Sequence, residues 1–420
     1  MSADLPNDRA PSAETLAISA GYDPASARGA AKPPVYLTST FVYPSAAAAK
    51  DLHVAFFDGV DAGAAPGFIY ARLGHPNLDM IEARVAALDG AEDAACFASG
   101  MAAITTTLLA LLAPGDGILH TRPLYGGTDA LIYGELARLG FPAFGILDAV
   151  DPAEVDRAVD AALAAGPVGV IWVESPANPT ATIADLALIA AAADRIAARQ
   201  GRRPPIVVDN TFLGPLASNP LRHGADLVMT SLTKYAAGHS DLLAGGISGS
   251  AALVRRLKQA RTLFGTPLDA HSCWLLLRSL ETLALRTARA FANARAIAEY
   301  LRGHPKVRSV TWLGFLAEGT PARAAFERQY RGTGSTFSFK IAGGEAEAFR
   351  MLDRLKVMRM AVSLGGTETL ICHSASTTHY AVPKARREAV GVDDSTLRIS
   401  VGIEDPADLL ADLEQALEAI

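Results

Sequence analysis

"DLVMTSLTKYAAGHSD", residues 226–241, runs from a short apolar stretch straight into small hydroxyl residues around a single lysine, Lys234. Such a run ending in a polar loop is the pattern of a buried strand with its functional groups just past the carboxyl end. Whether Lys234 is a reactive group or a solvated side chain depends on what surrounds it in the chain.

Upstream, three more runs have the same form: "DGILH" (116–120), "VGVIWVE" (168–174) and "PIVVD" (205–209). Helical patterns separate them. "LDMIEARVAALDG" closes on Gly90, "MAAITTTLLALLAPG" on Pro114-Gly115, and "IADLALIAAAADRIAARQG" on Gly201. Short buried strands alternating with helices predict a mostly parallel sheet covered on both faces, with ligands at the carboxyl ends of its strands. The spacing predicts three parts. Residues 1–74, rich in Ala, Gly and Pro, read as an extended arm that has to pack on something else, either the rest of the chain or a neighbouring subunit. Residues 75–285 read as the main α/β domain. Residues 286–420 read as a smaller α/β domain with strands in "STFSFKIAG" and "STLRISVGI", entered through a long helical stretch that begins near Ser272.

Composition excludes several classes. The chain has 420 residues, half of them hydrophobic, and a net charge of -6 with no basic tract, which argues against a nucleic-acid partner. Its apolar runs fall well short of the ~20 residues that a bilayer span needs, and nothing at the N-terminus resembles a secretory signal. The expectation is a soluble, cytoplasmic protein with no membrane contact. Cys96, Cys273 and Cys372 are far apart and form no CxxC, so neither a disulfide framework nor a metal site is expected. GxGxxG, GxxxxGK, HExxH and GxSxG are all absent, which removes the usual support for dinucleotide, P-loop, zincin and serine-hydrolase chemistry.

What remains is a set of polar groups at strand ends. In "VVDNTF", Asp209 follows a β-branched run, where a buried carboxylate is costly without a cationic partner. "FASGMAAI" puts Ser99, Gly100 and Met101 at a helix start, where free N–H groups and the helix dipole suit an anion. An acid, an amine and a phosphate-type cradle together describe pyridoxal 5′-phosphate, with a Schiff-base lysine and an acid on the pyridinium nitrogen. Only eight of the 38 basic residues are Lys, and between residues 51 and 257 Lys234 is the sole one. Arginine stays protonated and forms no imine, so a Schiff base in the main domain has to use Lys234.

Over residues ~30–418 the chain resembles the pyridoxal-phosphate enzymes of cysteine and methionine metabolism, the group of cystathionine γ-synthase, methionine γ-lyase and O-acylhomoserine sulfhydrylase. The matching stretches are "YARLGHPN", "FASGMAAI", "PLYGGT", "VESPANPT", "VVDNTF", "SLTKYAAGHSD", "AVSLGGTETLICHSASTTH" and "LRISVGIED". The resemblance implies an α/β protein of transferase fold type I, the aspartate-aminotransferase-like fold, assembled as a homotetramer of two tight dimers. By the same likeness Lys234 carries the cofactor and moves protons, and Asp209 pairs with the ring nitrogen. Tyr125 stacks on the ring and acts as acid or base toward the leaving group. Gly100, Met101, Ser231 and Thr233 hold the phosphate, with Tyr70 and Arg72 reaching in from the adjacent subunit, and Asn178 contacts the phenolic oxygen. Arg398, helped by Ser363, binds the α-carboxylate of an amino-acid substrate. Bland readings stand beside these: a helix cap for Asp209, a core tyrosine for Tyr125, an internal salt bridge for Arg398.

For the reaction, the resemblance implies γ-elimination or γ-replacement. Cystathionine-handling members carry acidic residues just before the "YxR" tyrosine and the "SLGG" serine, where this chain has Ile69 and Val362. Specialist methionine γ-lyases carry a Cys where this chain has Gly127. The expectation is γ-elimination from a methionine-like substrate, or from an oxygen-linked one such as canavanine. γ-Replacement on an O-acylhomoserine is the alternative. The segment Leu52–Phe68 is expected to add groups near the entrance.

Overall fold

A computed structural model describes residues 10–59 and 67–420. Its main sheet has seven strands: β1 (Asp93–Phe97), β2 (Gly117–Thr121), β3 (Ala143–Ile146), β4 (Val168–Glu174), β5 (Ile206–Asp209), β6 (Leu227–Thr230) and β7 (Gly245–Gly249). Their order is β1-β7-β6-β5-β4-β2-β3, and β7 alone pairs antiparallel to both neighbours. Every residue of β4, β5 and β6 is buried, as expected of strands covered on both faces, and apolar β-branched side chains dominate them. Helices Gly100–Leu111 and Ala251–Phe264 pack on one face, and Pro152–Ala165 with Leu186–Gln200 on the other.

Three strands lack the sequence signal for a strand. β1 reads "DAACF", β3 "AFGI" and β7 "GGISG". In β7 the glycines answer a steric demand: a Cβ on Gly245 would lie 2.4 Å from the carbonyl oxygen of Ser99, so this strand approaches the start of helix Gly100–Leu111 only without a side chain.

The expected long helix is instead two, Ala270–Leu280 and Leu283–Gly303, broken at Glu281-Thr282. The second of these buries Leu283 in the core of the main domain and Ile297, Ala298 and Leu301 against the second sheet, so one element belongs to both cores. That second sheet contains β8 (Val307–Val310), β9 (Thr336–Ile341), β10 (Arg359–Met360), β11 (Leu370–His373) and β12 (Thr396–Ser400), in the order β10-β11-β12-β9-β8.

In the N-terminal part, Asn77 pins the chain by accepting from Tyr36 N at 2.8 Å and donating to Pro34 O at 2.8 Å, while Leu37 and Val42 beyond it stand exposed. Part of the segment expected near the entrance lies in helix Ala46–Asp58, which buries nothing; residues 60–66 fall outside the described residues. No helix among the described residues is long and apolar enough to cross a membrane.

Candidate active site

Because β4, β5 and β6 are parallel, their carboxyl ends share one edge of the sheet, and Glu174 sits in register beside Asp209. The loops after β2, β4, β5 and β6 and the start of helix Gly100–Leu111 form one wall of a cleft of about 590 Å³; Val362, Ser363 and Arg398 form the other. Ten of the twelve residues singled out from the sequence line this cleft: Gly100, Met101, Tyr125, Asn178, Asp209, Ser231, Thr233, Lys234, Ser363 and Arg398. Tyr70 and Arg72 do not. They lie in a turn on another face, where Arg72 Nη1 donates to Thr262 O at 2.9 Å and the Tyr70 ring is partly exposed.

Lys234 Nζ donates to Ser363 Oγ at 2.8 Å. Burial, and then the positive charge of Arg398, pull its pKa from the ordinary lysine value down to about 8. Ser363 holds a left-handed backbone, φ 91°, uncommon for a residue with a side chain. That turn directs its hydroxyl to Lys234 while its carbonyl accepts from Arg398 Nη2 at 2.7 Å.

Arg398 is central in the second sheet, on β12 between β11 and β9, and is almost fully buried. Its other contact is Nη1 to Asn178 Oδ1 at 3.1 Å, and its Nε has no partner. Among the described residues no carboxylate pairs with it. An internal salt bridge is therefore not what holds this guanidinium; it faces the cleft with hydrogen-bonding capacity to spare.

Asp209 is buried, and burial pushes its pKa up to about 6. Its Oδ1 accepts from Thr211 N at 3.0 Å, and Thr211 Oγ1 in turn accepts from Ser231 N at 2.8 Å, joining the loops after β5 and β6. Glu174, also buried, has its pKa pushed well above the carboxylate range by burial and then by the charge of Asp209. Two neighbouring carboxylates therefore line the cleft with no salt bridge to either among the described residues.

At the helix start, Ser99 Oγ caps Ala102 N at 3.0 Å and Ser99 O accepts from Ala103 N. The N–H groups of Gly100 and Met101 are left without intrahelical partners. A Cβ on Gly100 would lie 2.9 Å from Ser231 Oγ, so the glycine lets the helix start and the Ser231 loop close on one small space. The Thr233 hydroxyl is already engaged, donating to Ala244 O at 3.1 Å and accepting from Ala244 N at 2.9 Å.

These groups fit pyridoxal 5′-phosphate: free N–H groups and a hydroxyl for a phosphate, a desolvated amine for the aldehyde carbon, and a cation-poor acidic pair for a protonated ring nitrogen. Sequence reasoning passed over Glu174 and Thr211. The signal for Glu174 was the same as for Asp209, a carboxylate closing a buried run.

Comparison with known proteins points the same way. The family description Cys/Met metabolism PLP-dependent enzyme matches residues 14–418. L-methionine gamma-lyase of Pseudomonas putida is 39% identical over 98% of this chain and 99% of its own length. Cystathionine gamma-synthase of Mycobacterium tuberculosis is 38% identical over 96% of both chains. Among solved structures, cystathionine gamma-synthase from Xanthomonas oryzae pv. oryzae, in complex with aminoacrylate and cysteine, superposes with a TM-score of 0.86 at 36% identity, covering 98% of this chain and 99% of that one.

Proposed function

The chain belongs to the Cys/Met metabolism PLP-dependent enzymes and uses pyridoxal 5′-phosphate, and on that footing we propose that it carries out γ-elimination on a methionine-like L-amino acid. The balanced reaction is L-methionine and water to 2-oxobutyrate, ammonia and methanethiol. The observation that supports this choice is the composition of the cleft wall. Met101, Ile104, Leu243 and Val362 line it, and the two acids that line it among the described residues, Glu174 and Asp209, stand at the strand ends. An apolar wall accepts a thioether and leaves a distal ammonium unpaired.

When bound, the cofactor supplies an electron sink for the charge left as protons are removed from the substrate. The chain's residues do the rest. Arg398 turns its free Nε and its Nη groups on the substrate carboxylate, a charge-assisted contact that replaces the neutral acceptors it now holds. Lys234, with a pKa near 8, is partly neutral at cellular pH and takes the α-proton, with Ser363 Oγ as the acceptor that orients its amine. Tyr125, at the cleft mouth and 40% exposed, hands a proton to the departing sulfur. Asp209 keeps the ring nitrogen protonated. Gly100 and Met101 N–H with the Ser231 and Thr233 hydroxyls would hold the phosphate.

Tyr70 and Arg72 serve the cleft of a neighbouring copy, in a homotetramer built as a dimer of dimers. Under this reading residues 1–74 form the arm that reaches across, residues 75–285 the cofactor-binding domain and residues 286–420 the domain that carries Arg398. The exposed Leu37 and Val42 belong to the covered surface.

γ-Replacement on an O-acylhomoserine is the second reading. It is favoured by Gly127, beside which the Tyr125 ring lies so close that a Cβ would meet its Cε1 at 2.6 Å. A panel of methionine, cystathionine, O-acetylhomoserine, O-succinylhomoserine and canavanine, with and without sulfide or cysteine, ranks the two. Methionine gives the highest kcat/KM without thiol on the first reading; a thioether or homocysteine formed only with thiol supports the second.

A further inference from the structure

Glu174 has no role in the reading above, yet it occupies an unusual position. It closes β4 and is only 4% exposed. One carboxylate oxygen accepts from Tyr125 N at 2.6 Å and the other from Asn178 N at 2.8 Å. Its own N–H donates to Thr121 Oγ1 at 2.9 Å, which ties it to β2, the strand that leads into the Tyr125 loop. One side chain thus fixes the loop after β2 to the loop after β4. These loops carry two groups that line the cleft and would hold the cofactor, the Tyr125 ring and the Asn178 amide. The carboxylate is also the register neighbour of Asp209.

A merely structural acid would be replaceable by any group that fills the space. Here both acceptors are in use, at backbone N–H groups that set where two side chains of the cleft begin. We propose that Glu174 is a positioning residue of the reaction: by holding Tyr125 N–H and Asn178 N–H at once, it sets where the Tyr125 ring and the Asn178 amide would meet the cofactor whose ring nitrogen Asp209 would bind. This rests on the assignment of Tyr125 to the leaving group and Asn178 to the cofactor.

Glu174→Gln tests the clamp directly. The amide keeps one acceptor oxygen and turns an NH₂ group toward the other backbone N–H, so one loop loses its anchor while the volume is unchanged. Loss of a buried hydrogen bond predicts a roughly tenfold larger dissociation constant for pyridoxal 5′-phosphate, measured by titrating the apoprotein spectroscopically. It also predicts a kcat roughly ten- to a hundredfold lower with KM nearly unchanged. The decisive reading is a double-mutant cycle. If Glu174 acts through Tyr125, the kcat loss from Glu174→Gln shrinks to less than about threefold in a Tyr125→Phe background. Additive effects, with Tyr125→Phe itself impaired, overturn the positioning role and leave the assignment of Tyr125 intact. A Tyr125→Phe variant with unchanged kcat overturns both. If Glu174→Gln does not fold, Glu174→Asp keeps the carboxyl group but cannot span both N–H groups, and it must show the same losses; wild-type affinity and kcat in that variant overturn the proposal.

Discussion

Replacing Arg398 by Ala separates a substrate-binding arginine from a structural one, because the two predict opposite balances of stability and activity. In the free protein the guanidinium is 3% exposed and is held by two neutral acceptors, Ser363 O at 2.7 Å and Asn178 Oδ1 at 3.1 Å. Two such bonds contribute about 1.5–3 kcal/mol each when the donor is charged. Against them stands the desolvation of a buried cation with no anion beside it, which costs several kcal/mol. The two terms nearly cancel, so truncation changes the folding free energy by no more than about 2 kcal/mol, cavity included. In the substrate complex the balance differs. A bidentate contact with a carboxylate provides two charge-assisted bonds of about 1.5–3 kcal/mol each, so their loss lowers kcat/KM by roughly 10²–10⁴-fold. The assay is initial-rate release of 2-oxobutyrate over a range of substrate concentrations, with thermal unfolding of the same preparations. A kcat/KM within about fivefold of wild type, or an unfolding temperature that collapses while kcat/KM holds, would refute the assignment. Arg398→Lys recovers only part of the loss, since an ammonium is a point charge on a shorter reach and cannot form the fork.

Gly100→Ala puts a Cβ 2.9 Å from Ser231 Oγ, so cofactor affinity falls roughly tenfold with little change in apoprotein stability; unchanged affinity would show that this approach is not part of the cradle. For pH, the folded pKa of Lys234, about 8, lies below the ordinary 10.5, so between these values the unfolded apoprotein binds more protons and this residue makes stability rise with pH. The apoprotein of Lys234→Met is accordingly more stable than wild type at pH 7, by a margin that shrinks as the pH is raised through 8 toward 10.5; a margin flat across that window contradicts the buried amine. Arg72→Ala weakens cofactor retention through a subunit contact, and wild-type retention in a monomeric preparation of that variant would remove the cross-subunit role.

The strands that carry the site were legible because each is a buried apolar run that ends in a charged or hydroxyl residue: "VGVIWVE", "PIVVD" and "DLVMT". β7 was not legible. "GGISG" has no strand propensity, and its glycines are explained only by how near the chain passes to Ser99 O and, at Gly249, to Asp226 O. The break between the two helices near Thr282 was hidden by apolar periodicity that continues on both sides, from Leu280 to Leu283. In the site, the scarcity of lysine singled out Lys234, and alternation with apolar residues placed Arg398 on a buried strand. The absence, among the described residues, of an anion beside Arg398 and the left-handed backbone of Ser363 are three-dimensional facts. Glu174 carried the same strand-end signature as Asp209, but its clamp on Tyr125 and Asn178 joins residues 49 and 4 positions away, and only the longer of these spans depends on the fold.

The most direct test of the central claim is 2-oxobutyrate formation by the purified holoenzyme from L-methionine alone, followed together with methanethiol and ammonia. γ-Elimination predicts all three in equal amounts with no added thiol, and none from Lys234→Ala carrying the same cofactor load. No ketoacid from methionine, but homocysteine or a thioether from O-acylhomoserine once sulfide or cysteine is supplied, would contradict it.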